Sequence, residues 1–476
     1  MMTASPGVRY PRFTSSSMWR STQAMIRIGN GQGFWGDSVD APVRLAKEGP
    51  LDYLTLDYLA EVTMSIMQKQ KRQDPEGKAG YARDFVDLVR RILPEIRDKG
   101  VKVIANAGGV NPAACMKAVA EAVKAGGGRG IKVGMVSGDD IMDRLDAIMA
   151  EGVSLANMDD GRQLAAIRSQ VLSANVYMSA FPIAEALDLG ARIVLTGRGT
   201  DPGLVLGPMI HEFRWQKEDY DRLAAGTVAG HIVECGAQCT GGNFSRWWEV
   251  TGWDHLGYPI VEAEGDGSFV VTKHEWTGGL VTVDTIAEQL VYEMGNPAAY
   301  VTPDVTADFT SIQLAQAGLD RVAVSSIKGR PATDTYKVSI SYLSGYSAVG
   351  QLTVSGPQAL EKARVAAGAL WGRLKRAGLE FDDTHTEFVG AGACHGRIAR
   401  PASPPVEVVM RVGVKDKDKA KVDRFGKELA PLVTSGPPGI TGFAGGRPRV
   451  TEVVAFWPAL IPKDLVRPQV RVEEVA

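Results

Sequence analysis

Cysteine is scarce in this chain: four in 476 residues, at Cys115, Cys235, Cys239 and Cys394. That is too few and too scattered for a disulfide framework, and it fits a reducing compartment. Net charge is nearly absent, −2 at pH 7. No global basic field exists to hold DNA or RNA, so no nucleic acid is expected as a partner. No apolar run approaches the roughly 18 residues needed to span a membrane, so no membrane association is expected either. Acidic residues are missing from the first 24 positions, MMTASPGVRYPRFTSSSMWRSTQA, which hold three arginines. This Ser- and Thr-rich leader reads as a disordered tail, with a transit peptide as the alternative. The expected location is therefore cytoplasmic, and mitochondrial only if the leader is a targeting signal.

What is abundant is apolar material and glycine. Hydrophobic residues make up 45% and charged residues 23%, an ordinary balance for a globular protein with a sizeable core. From residue 25 onward strands and helices alternate. MIRI, LDYLTLDYL, VKVIANAG, IKVGMVSGDD and ARIVLTGRGTD read as strands, and residues 36–49, 57–70 and 80–98 and the segment DDIMDRLDAIM as helices. NPAACMKAVAEAVKAG reads as a helix capped by Asn111, with Pro112 at its first position. This order predicts an α/β fold with a mostly parallel, doubly wound sheet. Residues 226–330 show little helical periodicity and read as long, Gly-rich loops with short strands and helix starts, with a helix over LVTVDTIAEQLVYEMG. TYKVSISYL and QLTVSG read as separate antiparallel strands. From residue 349 the order β-α-β-β-α-β predicts a C-terminal α+β domain of the ferredoxin-like kind. The expected organisation is a leader 1–24, a main domain 25–345 and a second domain 346–476. Exposed sheet edges in the last domain invite pairing, so a homo-oligomer is expected.

Chemistry is expected on the loops that follow parallel strands. Four such loops carry glycine or polar residues: GNGQGFWGDS, NAGGVNP, VSGDD and TGRGTD. Backbone N–H groups in turns of this type bind anions. Gly31, Gly33, Asn106, Gly108, Gly109 and Arg198 are therefore candidate anion-binding residues. Gly31, Gly33 and Gly36 also match the G-x-G-x-x-G dinucleotide fingerprint, with Asp52 or Asp57 at the distance of a ribose ligand. Phe34 and Trp35 at the variable positions and Asp37 directly after suit a pyrophosphate poorly, so NAD is the third choice. GHIVECGAQCTGGNFS packs His231, Glu234, Cys235, Cys239 and Asn243 around Gly241 and Gly242. A cysteine with a lowered pKa serves as nucleophile or proton carrier, and a buried glutamate as acid or base. In TKHEWTGG, Lys273 and His274 stand before Thr277, Gly278 and Gly279, a second expected anion site. A divalent metal near Asp37, Asp139 or Asp201 stays open, and no cofactor is fixed.

Several of these stretches, taken in order, carry a resemblance. IRIGNGQGFWGDS, DYLTLDYLAEVTM, ANAGGVNP, GHIVECGAQCTGGNFS, LGYPIVE, TKHEWTGGLVTVDTIAEQLVYEMG and TPDVTADFTS together resemble the AtuA family, named for acyclic terpene utilisation. The resemblance covers roughly residues 25–476. It implies breakdown of branched isoprenoid acids by way of CoA thioesters. It supplies no agreed catalytic residues, so the candidates above rest on residue chemistry. The expected activity is a hydratase, dehydratase or lyase acting on an acyl-CoA or a free carboxylate, with a small anionic substrate as partner. Arg198 and Lys273 would hold anionic groups, and Glu234, Cys235 and His274 would move protons. A non-catalytic acyl-CoA-binding or scaffold subunit is the alternative.

Overall fold

The computed structural model describes residues 25–399, 403–442 and 446–476; the leader expected at 1–24 lies outside them. The first half of the chain builds a sheet from short apolar strands: β1 Ile26–Asn30, β2 Tyr53–Leu56, β3 Lys102–Ala105, β4 Lys132–Ser137 and β6 Ile193–Thr196, with β5 Val171–Val176 placed elsewhere. The order β1-β2-β3-β6-β4 is parallel throughout. Alternate side chains enter two separate cores. Ile28, Tyr53, Ile104 and Val194 face helices that include Gly203–Phe213 and Tyr220–Val233. Leu54, Val103, Ile193 and Leu195 face helices that include Arg83–Asp98 and Pro112–Ala125. Both faces being covered explains why these strands read as continuous apolar runs.

Parallel pairing stops at both ends of this central group. On one side β7 Ile260–Ala263 and β8 Phe269–Thr272 add antiparallel, followed by the strands Arg321–Ser325 and Gln313–Gly318. On the other side Gln469–Glu474 pairs antiparallel with β4. The sheet is thus a mixed one of ten strands, five of them parallel, which corrects the mostly parallel expectation. The antiparallel strands derive from the 226–330 region and from the chain's end, where hairpins rather than crossover helices join neighbours.

Three local expectations also change. Residues 226–233, read as the start of the loop region, belong instead to the helix Tyr220–Val233, in which Leu223 through Val233 are all buried. A helix apolar on every face carries no amphipathic period, so the sequence pattern hid it. TYKVSISYL and QLTVSG belong to a single strand, Thr335–Ser355, which runs through residue 345. The segment DDIMDRLDAIM yields only a short turn, Met142–Arg144, and the six-residue helix Leu145–Ala150.

The long strand anchors a second sheet. Its first half pairs with β5 and with Thr451–Pro462, and its second half with Glu407–Asp416, which in turn pairs with Asp383–Val389. Helices Ala359–Arg376 and Lys419–Leu429 cover the second half, with Leu370, Leu374, Phe425 and Leu429 in its core. Strands and helices from 335 to 462 follow the order β-α-β-β-α-α-β, the last helix being the short Leu432–Ser435. Around the first half, Val338, Ile340 and Trp457 join Ile141, Leu145 and Val176 in a separate core.

Candidate functional site

The carboxyl ends of the parallel strands bring several polar side chains into one buried region. Asn30 closes β1, Asp57 follows β2, Asn106 follows β3, and Arg198 stands just beyond β6. All four are buried. β6 lies between β3 and β4, so Arg198 enters from the middle of the parallel group. Helix Tyr220–Val233 delivers His231 from its last turn and Glu234 directly after it.

Asp57 anchors the region. Its Oδ1 accepts from Asn106 Nδ2 at 2.6 Å and from the Leu59 amide at 3.1 Å, while Asn106 Oδ1 accepts from the Tyr58 amide at 2.6 Å. Burial, and next the charge of Asp201, push the Asp57 carboxyl well above the usual carboxylate range, against the pull of Asn106 and Arg198. Arg198 pairs with Asp201 and donates to Leu59 O at 3.2 Å. Its guanidinium lies 4.2 Å from the Tyr177 ring centre, a cation–π contact, and Tyr177 donates its hydroxyl proton to Glu61. The Arg198 backbone N–H donates to Asp139 Oδ2 at 2.9 Å, and burial pushes Asp139 up to about 6.

Glu234 is the group most open to chemistry. Its Oε1 lies 3.2 Å from His231 Nδ1. Its Oε2 is buried and has no hydrogen-bond partner among the described residues. Burial raises Glu234 to about 7; His231 opposes this, while Asp201 and Glu293 add to it. For His231 burial acts downward, and the neighbouring Glu234 outweighs it, leaving the imidazole raised. His231 Nε2 lies 3.1 Å from Gln289 O, and Tyr300 and Phe309 flank the ring at 5.3 Å each. A carboxyl that titrates near neutrality beside an imidazole is equipped to give or take a proton.

The other members of this stretch are placed differently. Cys235 is half-buried, and burial, with the charge of Glu234, pushes its thiol up to about 12. It remains a neutral S–H, not a thiolate nucleophile. Cys239 is fully buried, raised by desolvation, and its Sγ lies 3.8 Å from Gly236 O. His274, expected to move protons together with Glu234 and Cys235, packs elsewhere. Its Nε2 lies 3.2 Å from Leu45 O, its ring stacks on Trp276, and Gly49 has no room for a side chain against it. Lys273 is buried and engaged by Asp320 at 2.9 Å and by Thr277 O at 3.0 Å, so it presents no free cation to an anion.

The glycine loops are likewise occupied by protein. Gly33 N–H donates to Asp37 Oδ2 at 3.0 Å, and a Cβ there would lie 2.6 Å from the Cys235 carbonyl carbon. Gly31 N–H donates to Thr55 O, and a Cβ on it would meet Pro42 at 2.6 Å. The helix after this loop begins at Ala41, beyond Gly36. The dinucleotide fingerprint is thus a packing motif that seats β1 against the end of helix Tyr220–Val233. Gly108 N–H bonds to Thr196 O and Gly109 N–H to Asn106 O. Gly242 N–H bonds to Ala237 O and Gly279 N–H to Thr251 O, while Gly278 N–H bonds to His255 O and Gly278 and Gly252 approach too closely for a Cβ. Gly241 and Asn243 take positive φ, 111° and 58°, to make the turn. Thr277 Oγ1 donates to His274 O at 2.6 Å, closing its own loop.

Asp37 is held by Tyr258 and Gly33, Asp139 by Asn175 and the Arg198 N–H, and Asp201 by the Arg198 guanidinium. Among the described residues, no group of three or more His, Cys, Asp or Glu is arranged to hold a metal ion. Sequence reasoning missed Glu61, Tyr177, Gln289 and Tyr300 as neighbours of the site. They come from distant elements with no motif around them. Asp57 had signalled itself by position, but for a ribose rather than for this cluster. Among the described residues, no helix is long and apolar enough to cross a membrane.

The family model described as acyclic terpene utilisation family protein AtuA matches residues 26–472. No curated protein matches the chain.

Proposed function

Because the chain belongs to the AtuA family of acyclic terpene utilisation, we propose that it is a catabolic enzyme of branched-chain, acyclic terpenoid acids. The reaction we assign is hydration, dehydration or a related lyase step on an acyl-CoA or a carboxylate. The observation that carries this reading is Glu234: its side chain is 13% exposed, its carboxyl is raised to about 7, and its Oε2 is buried with no hydrogen-bond partner among the described residues. In the dehydrating direction Glu234 as carboxylate removes a proton from the carbon next to the carbonyl. The electron pair forms the C=C bond and expels the hydroxyl from the adjacent carbon. Asp57, whose carboxyl burial pushes well above the usual carboxylate range, gives that hydroxyl its proton, and it departs as water. Hydration is the same path reversed. The alternate arrangement of two carboxyls with different surroundings supports separate acid and base roles.

The test is native mass spectrometry of the protein mixed with a geranyl-CoA-type ester. A change in the ester by the mass of one water supports the reading. Its persistence in Glu234→Gln at full rate overturns the assignment.

A non-catalytic, acyl-binding subunit is the second reading. Trp247, Trp248, Trp253 and Trp276 are exposed, and large exposed aromatics mark contact surfaces. The ferredoxin-like reading of residues 346–476 and a homo-oligomeric assembly belong to the same proposal. A tight complex with another pathway protein, and no turnover alone, would favour it.

A further inference from the structure

The strand Gln469–Glu474 closes one end of the ten-stranded sheet, with no strand beyond it among the described residues. Its neighbours fix which way its backbone points. The carbonyls of Lys132 and Val136 accept from Arg192 and Gly197, at the two ends of β6. Even-numbered residues of β4 are thus turned towards β6. Odd-numbered ones are turned towards the end strand, where Val133 and Met135 stand opposite Glu473 and Arg471. Val475 keeps this phase: its N–H donates to Ile131 O, and its C=O accepts from Gly130. The odd-numbered residues therefore bond into the sheet, while Val470, Val472 and Glu474 direct their N–H and C=O groups outward. Such a row of free donors and acceptors is a template for another strand.

The side chains divide between the two faces of the sheet. Val470 and Val472 pack against the core that holds Ile183, Ala186 and Leu187. Arg471 and Glu473 stand on the opposite face, exposed and paired with each other along the strand. With Ala113, Met116 and Ala120 of helix Pro112–Ala125 they line an open groove of about 420 Å³. Charge of one sign on an edge repels a second strand. Here the two signs alternate, so the pattern is able to complement itself.

A second copy placed antiparallel about a two-fold axis perpendicular to the sheet keeps like faces together, so odd-numbered residues meet odd-numbered ones. An axis through Arg471 sets Arg471 against Arg471, and one through Glu473 sets Glu473 against Glu473. An axis through Val472 sets Arg471 of each copy against Glu473 of the other. The backbone fits that third register. Val472 then exchanges both its outward bonds with Val472 of the second copy. Arg471 and Glu473 fall at the non-hydrogen-bonded positions, where opposed side chains approach most closely.

We infer that the protein forms a two-fold dimer through this edge, with Val472 on the axis and the two ten-stranded sheets joined into one. This rests on the homo-oligomer proposed above, to which it gives a surface and a register. It does not depend on the reaction assigned to Glu234.

Light scattering after size exclusion of the full chain tests it, with twice the mass of one chain expected. Arg471→Glu alone and Glu473→Arg alone each set like charges together in both cross-strand pairs, and each is expected to weaken the dimer about tenfold or more. Mixing the two variants restores opposite charges, and does so only across the axis, because within either variant the two residues carry one sign. The mixture is expected to dimerise as the unaltered chain does. Val472→Pro removes the N–H on the axis, which the chain's own sheet does not use, and is expected to leave a monomer. Should that variant fail to fold, the charge variants decide alone, since both their side chains are exposed. A monomeric unaltered chain at sub-millimolar concentration overturns the interface and the homo-oligomer together. A dimer that every variant leaves intact overturns the interface and keeps the oligomer. Mixed variants that stay monomeric overturn the register, and the inference with it.

Discussion

Glu234 and His231 share a proton-sensitive contact at 3.2 Å in a dry setting, and the raised carboxyl sets the pH response of the site. As a base Glu234 works only when deprotonated. Activity is therefore expected to fall as pH drops through about 7, and Glu234→Gln to lose about 10²- to 10⁴-fold in kcat above that pH, with a smaller loss below it. A pH–rate profile of both proteins checks this. The thiol beside it behaves otherwise. With its pKa pushed up to about 12, Cys235 is expected to resist alkylation at pH 7 while the exposed Cys394 reacts. Peptide mapping after iodoacetamide treatment reads that directly, and Cys235→Ala is expected to keep turnover within a few-fold. Asp139 carries a stability consequence. Its carboxyl is raised to about 6 by burial, so the native state holds a proton that the unfolded chain releases above its ordinary value near 4. Its contribution to stability therefore declines as pH rises from about 4 to about 6. Asp139→Asn, which keeps an acceptor for Arg198 N–H, is expected to flatten that decline in urea titrations across this range.

At the scale of elements, the TKHEWTGG loop and the opening glycine loop act as fasteners. Lys273 is buried and satisfied by Asp320 and Thr277 O, and Asp320 Oδ1 in turn accepts from the Val281 amide. Removing one partner of a buried ion pair typically costs about 3–5 kcal/mol. Lys273→Met is expected to lower stability by that order in denaturant unfolding and to leave KM unchanged once folded; a substrate-binding lysine would raise KM instead. Gly33 is the tightest point between β1 and the end of helix Tyr220–Val233. Gly33→Ala forces a Cβ to within 2.6 Å of the Cys235 backbone, a strain of about 1–3 kcal/mol, measurable as a fall in the denaturant midpoint. Because that backbone carries Glu234, the same variant is expected to lower kcat as well.

On the scale of the whole molecule, the two sheets are tied by chain passing between them. β5 leaves the first half of the chain to pair with Thr335–Ser355, and the strand Gln469–Glu474 returns from the far end to pair with β4. Trp457, fully buried, donates its ring N–H to Leu155 O at 3.0 Å across this junction. A chain ending at residue 334 would expose Val176, Ile141 and the β4 edge at once. It is expected to aggregate instead of folding alone, visible in size-exclusion chromatography.

Much of this was legible in the residues. A periodic segment such as Arg83–Asp98 read correctly because one face meets solvent and the other a core. Asn111 reads as a cap because its short side chain reaches the Ala114 amide at 3.3 Å. The family was legible too, since several ordered motifs act jointly where each alone is weak. The buried helix Tyr220–Val233 was not, because burial on all sides erases the pattern that marks a helix. Neither were the roles of the glycine loops. Composition says that a glycine permits close approach, but not whether the approaching group is a ligand or another loop. Only the tertiary structure decided that Asp37, Thr55 O and the Cys235 backbone fill those places. It alone gathered Asp57, Arg198, Glu234 and Gln289, since local sequence fixes which groups a loop carries while long-range packing fixes which groups meet, which are dry, and hence where their protons reside.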